Sequence, residues 1–222
     1  MRQLTVALAL ASACIFVGSC SRGNTPPPPV AEEALDGLPL SPAEINSAMG
    51  ATGITVNETS TDMSDDSANI PDKDCRFIYP AEISVYGIYS AEGSGWTAVR
   101  SQHLREPVDD FDHEVRQAVV SFRSANDAAR FFAASAQGWP ACSNRQFHYT
   151  EPGKPDEVCT GGPIANTNGT LSTTRGMAGG WTCRRALTVS NNVAIDVAAC
   201  PDDPADAAVN IAHQIAAKVA KQ

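Results

Sequence analysis

The sequence predicts an α+β domain built on an antiparallel sheet, and three observations carry that expectation. WTAVRSQHL (96–104), VRQAVVSF (115–122), WTCRRALTVS (181–190) and VAIDVAAC (193–200) are rich in β-branched and aromatic residues. The last two are joined by Asn191-Asn192 alone, too short for the crossover a parallel pair needs. Helical periodicity is confined to three isolated stretches, which argues against alternating βαβ units.

Met1-Arg2-Gln3 and the apolar run Thr5 to Val17 read as a signal peptide, residues 1–19, because the run is shorter than the roughly 20 residues that span a bilayer. It ends in Val17-Gly18-Ser19-Cys20, which resembles a bacterial lipobox and makes Cys20 the expected lipidated residue. Each acyl CH₂ buried contributes about 0.8 kcal/mol, so two or three chains would hold the protein on the extracytoplasmic face of the cell membrane. Residues 20–34 include four consecutive prolines, which favour extended polyproline II and predict a stiff tether. The folded domain is then expected over 35–222.

Ser41-Pro42-Ala43-Glu44 is a capping-box signature with Pro at the first helical position, and Gly50 ends the short helix it opens. Asn57 to Asp74 is acidic and lacks the D-x-D-x-D-G spacing of a calcium loop, so it reads as solvated. ISVYGIYS (83–90) opens a run of strands that continues to Phe122. Ser124 caps a second helix, with Ala128, Phe131, Phe132 and Ser135 at helical spacing and Gly138 placed to end it. A third helix opens at Asp203 and buries Ala208, Ile211, Ala212, Ile215 and Val219 along one face, with Lys218 and Lys221 at its C-terminal dipole.

The two-residue turn fixes a register in which every opposed pair of 181–190 and 193–200 sums to 383. Cys183 therefore faces Cys200, at a non-hydrogen-bonded site close enough for a disulfide. The same register makes Arg185 and Asp196 diagonal neighbours on the cysteine face, read here as a surface ion pair contributing under about 1 kcal/mol.

Composition excludes some functions. With 16 basic against 25 acidic side chains and a net charge of -9, the chain lacks the cationic surface that nucleic-acid binding requires. H-E-x-x-H, G-x-S-x-G, the P-loop and C-x-x-C motifs are absent, and the four histidines are scattered, so neither catalysis, nor a cofactor, nor a metal site is expected. Asp109 to Glu114 reads as a solvated acidic turn. Trp96, Arg100 and Gln102 fall at period two along one strand beside the Gly-Ser-Gly at 93–95. They are the candidate ligand residues, offering a stacking face, a bidentate donor and an amide suited to an envelope glycan.

GWTAVRSQ (95–102), QAVVSFRSANDAARFF (117–132), Trp139-Pro-Ala-Cys142, GWTCRRALTVSNNVAIDVAAC (180–200) and AHQIAAK (212–218) together resemble the extracellular sensor domain of mycobacterial receptor kinases of the PknH type. That domain also occurs in stand-alone lipoproteins, and no kinase signature accompanies it here. The resemblance implies helices and an antiparallel sheet around a large cleft, with disulfides Cys75–Cys142 and Cys183–Cys200. Cys159, in a segment rich in Gly, Pro and Asn, is then a fifth ectodomain cysteine, a thiol outside both bridges in an expected loop. The function expected is a monomeric, membrane-anchored ligand-binding or sensor module. The alternative is an adaptor for another envelope protein, competing with or assisting a receptor kinase.

Overall fold

A computed structural model describes residues 27–63, 67–78, 95–177, 180–200 and 206–222. The expected signal peptide, Cys20 and the strand expected at 83–90 lie outside these residues. Among the described residues nine strands form one antiparallel sheet: β1 (Thr55–Ser60), β2 (Trp96–Arg105), β3 (Glu114–Phe122), β4 (Gln146–Tyr149), β5 (Glu157–Gly161), β6 (Ala165–Thr167), β7 (Thr170–Met177), β8 (Thr182–Ser190) and β9 (Val193–Cys200). Their order is β1-β2-β3-β9-β8-β7-β5-β4, with β6 pairing β7 from the side. The α-helices among the described residues are α1 (Pro42–Met49), α2 (Ala125–Gly138) and α3 (Ala207–Val219).

Alternation along the central strands divides the core between the two faces of the sheet. On the first face Ala98, Leu104, Val115, Val119, Ile195 and Val197 pack against Ile211 and Ile215 of α3 and against Leu35, Leu38, Leu40 and Ile45 of the N-terminal segment. On the second face Val99, Val120, Phe122, Leu187 and Ala194 pack against Ala128 and Phe131 of α2 and against Trp139. A smaller cluster at the β4–β5 end gathers Ile70, Phe147, Cys159 and the Cys75–Cys142 disulfide.

The helix signals act as their chemistry requires. Ser41 and Glu44 exchange both capping-box hydrogen bonds, and Gly50 closes α1 with φ 68°, a left-handed conformation that glycine adopts without penalty. Ser124 caps α2 through the Asp127 N–H. Gly138 does not end that helix in the expected way: its backbone stays right-handed and the chain tightens into a 3-10 turn, Trp139–Cys142. All five expected apolar positions of α3 are buried, although the helix starts at Ala207, after the expected Asp203 cap, which lies outside the described residues.

Two loop expectations are corrected. Part of the acidic segment 57–74 is strand β1, paired with β2 at the sheet edge. Its first five residues are exposed, so it carries no alternation that could announce it. Cys159 lies in β5 between Phe147 and Met177, fully buried, because turns at Asn168 (φ 51°) and Gly153 (φ 82°) let short strands form in the Gly- and Asn-rich segment.

The β8–β9 hairpin has the expected register, Ser190 opposite Val193 and Arg184 opposite Ala199. Asn191 alone of the turn pair takes a positive φ, 50°. Asn192 is buried and turns its carboxamide on the N-terminal segment: Oδ1 accepts from the Val30 N–H at 2.7 Å, and Nδ2 donates to the carbonyls of Val30 (3.2 Å) and Phe122 (2.8 Å). Asn191 Nδ2 donates to the Pro28 carbonyl at 2.7 Å. The folded domain therefore includes residues 28–34, and the expected tether ending before Leu35 is corrected.

Candidate functional site

Strand β2 carries the candidate ligand residues, and its local geometry separates them. Trp96 pairs with Phe122 and Ala98 with Ser121, so two β2 residues apart meet consecutive β3 residues and Thr97 is the extra residue of a β-bulge. The bulge reverses the face on which the earlier residue falls. Ala98 belongs to the first-face core, whereas Trp96 packs against the second-face cluster with Phe122 and Phe131. The expectation that Trp96, Arg100 and Gln102 share one face is thus corrected, because period two holds only where no residue is inserted.

Arg100 and Gln102 do come together. With Ser101 they line a groove of about 380 Å³ completed by Thr59, Ser60 and Thr61 at the end of β1 and by Asp36 and Pro39 of the N-terminal segment. Arg100 Nε donates to Asp36 Oδ1 at 2.5 Å, and Nη2 lies 3.5 Å from Glu32 Oε1. Hydrogen bonding to Asp36 raises the guanidinium pKa against a smaller opposing effect of burial. Gln102 Oε1 accepts from Gln117 Nε2 at 2.9 Å, while the buried Gln117 also exchanges hydrogen bonds with both backbone groups of Leu40. The groove therefore presents hydroxyls, an amide and a preset cation next to carboxylates, without an aromatic platform.

On the opposite face Arg185 and Asp196 pair as the register requires, but not at the surface. Their side chains are 3% and 0% exposed. Arg185 Nε donates to Asp196 Oδ1 at 2.8 Å, a second bond runs from Nη2 to Oδ2, and the guanidinium carbon sits 4.7 Å from the centre of the Trp139 ring. The hairpin register identified the pair and its face; it carried no information about Trp139, which α2 brings over that face from more than 40 residues upstream.

Both disulfides are present. Cys183 and Cys200 have a Cα separation of 4.0 Å, as directly opposed residues should, and Cys75 joins Cys142 across 67 residues. Arg145 reinforces the second bridge by bonding Asp72, Asp74 and the Ala141 carbonyl, residues on both sides of it. The acidic turn exposes Asp109, Asp110 and Asp112, while Phe111 lies beneath Arg105 (4.7 Å) and meets Trp181 edge-on. Among the described residues no group of three or more His, Cys, Asp or Glu side chains could hold a metal ion, and no helix is long and apolar enough to cross a membrane.

A single antiparallel sheet with helices on both faces, cross-linked by two disulfides that persist only in oxidising compartments, defines an extracellular α+β domain. Residues 30–218 match the model of the PknH-like extracellular domain, and the chain belongs to that family. It is 32% identical over 225 residues to the serine/threonine-protein kinase PknH of Mycobacterium bovis and to that of Mycobacterium tuberculosis H37Rv. These alignments cover 99% of this chain but only 36% and 34% of the two kinases, so the chain spans about a third of the length of those relatives. The crystal structure of the extracellular domain of PknH from M. tuberculosis superposes with a TM-score of 0.79 at 32% identity, covering 87% of this chain and 98% of that one. The fold expected from the sequence is the fold observed.

Proposed function

We propose that this protein is a lipid-anchored sensor module that takes a polar envelope ligand, a glycan fragment, in the groove of Arg100 and Gln102. The observation that carries this reading is the composition of that groove: Thr59, Ser60 and Thr61 lie beside one amide and one cation held by Asp36. Hydroxyls and amides exchange hydrogen bonds with sugar hydroxyls, and Arg100 is fixed before a ligand arrives, which lowers the ordering cost of binding. Family membership supports a sensor role, and Cys20 at the end of the apolar leader supports a lipid anchor. Titration of the purified protein with envelope glycan fragments tests the groove. Saturable binding weakened at least tenfold by Gln102→Ala supports it; binding unaffected by that change, or none at all, overturns it. Metabolic labelling with a fatty acid that persists in Cys20→Ala would overturn the anchor.

A further inference from the structure

Among the described residues that line the groove of Arg100 and Gln102, Arg100 is the one cation, and its donors are already engaged within the chain. Nε donates to Asp36 Oδ1 at 2.5 Å, Nη1 to the Val99 carbonyl at 2.9 Å, and Nη2 to Glu32 Oε1 at 3.5 Å. Each of the two edges on which a guanidinium grips an anion with parallel hydrogen bonds therefore has a donor turned to a protein oxygen. The Arg100 side chain is 19% exposed, whereas those of Glu32 and Asp36 are 59% and 67% exposed. A ligand entering from solvent thus meets carboxylate oxygens, with the guanidinium set behind them.

The charges at this place do not cancel. Arg100 against Asp36 and Glu32 leaves one negative charge in excess. Lys218, whose Nζ reaches the Pro39 carbonyl at 3.3 Å, does not make up the difference, because Glu44 lies 3.1 Å from the same ammonium. Glu33 and Asp62, next in sequence to Glu32 and Thr61, are acidic as well. Gln102 and the hydroxyls of Thr59, Ser60 and Thr61 are neutral.

We infer that the ligand of this groove is an amino sugar with a protonated amine, and that Glu32 and Asp36 are the specificity-determining pair that turns anionic sugars away. The inference rests on the glycan reading of the groove and adds to it the sign of the ligand's charge. A carboxylate has lone pairs beyond the one that Arg100 occupies, so an ammonium can donate to it while the ion pair stays intact. A uronate brought to the same place faces two like charges and finds no open guanidinium fork. In a solvated groove one unit charge about 5 Å away changes affinity about fourfold, an effect that salt screens.

Three probes of one size test this: the N-acetylglucosamine dimer, the same dimer de-N-acetylated, and a disaccharide carrying a uronate. Each is titrated calorimetrically into the purified protein at pH 6 and low ionic strength. The expected order is amine tighter than neutral and neutral tighter than uronate, with about tenfold between first and last and convergence in concentrated salt. Glu32→Gln/Asp36→Asn should abolish or reverse that order, whereas Asp36→Glu, which retains the charge, should keep it. Asp109→Asn/Asp110→Asn removes the same charge from the exposed acidic turn and should also keep it. Equal binding of the three probes, tightest binding of the uronate, or an order that survives Glu32→Gln/Asp36→Asn would overturn this inference, and weakening of the neutral dimer by Gln102→Ala would still uphold the groove. No binding by any probe would overturn both.

Discussion

Arg185 is clamped between Asp196 at its edge and the Trp139 ring at its face, 2.8 Å from the first and 4.7 Å from the centre of the second. A charge so completely removed from water persists only while its partner remains, because the attraction between the two offsets the desolvation of both.

Asp196→Asn should therefore destabilise the fold by about 3–5 kcal/mol, the typical consequence of leaving a buried charge uncompensated. Arg185→Met/Asp196→Leu should recover most of that loss. Urea unfolding midpoints at constant slope separate these outcomes, and full stability in Asp196→Asn would contradict the observed burial.

The two disulfides should differ in weight. Cys183 and Cys200 are 17 residues apart, and removing that bridge should cost about 3 kcal/mol on the loop-entropy model. Cys75 and Cys142 are 67 apart, for which the same model gives about 4 kcal/mol. Thermal unfolding of each paired Cys→Ala variant compares them directly.

Cys159 is fully buried in β5, so its thiol should react with a maleimide only after unfolding. Mass spectrometry of the domain from residue 27 onward, which lacks Cys14 and Cys20, should show no label when native and one when denatured. Rapid native labelling would show that the β4–β5 end opens readily.

Acid should weaken the β2–β3 turn. Burial raises the pKa of Glu106, but hydrogen bonds from the His113 ring (2.6 Å) and backbone N–H (3.0 Å) outweigh it and hold the carboxyl below its ordinary 4.5. A lowered folded pKa gives stability that is complete above the unfolded value and lost as pH falls through the folded one. Glu106→Gln should consequently lower stability at pH 6 and flatten its fall as pH drops below 4.5. Denaturant titrations at those values provide the check.

What the sequence disclosed follows from where each structure stores its information. Local rules carried far: the capping box at Ser41 and Glu44, the apolar face of α3, and the Cys183–Cys200 register all follow from residues close in sequence or joined by a two-residue turn. Edge strand β1 leaves no signal in the sequence because TVNETS buries almost nothing and so has no alternation. The single inserted residue Thr97 was equally silent, yet it decided the face of Trp96. The depth of Arg185 depended on Trp139, a contact no strand register contains. In the site, Arg100 and Gln102 were legible as neighbours by period two, while Asp36 and Thr59, which complete the groove, come from segments whose sequence reads as linker and loop.

The Asn191–Asn192 turn has a mechanical consequence. A pull on the chain ahead of Pro28 is delivered first to two carboxamides on the hairpin joining β8 to β9, and through the Asn192 bond to Phe122 it reaches the end of β3. Load enters the middle of the sheet and not the exposed edge at β1. The hairpin tip is where that pull enters the sheet, and the Cys183–Cys200 bridge ties the same two strands together at their other end, a strand length away.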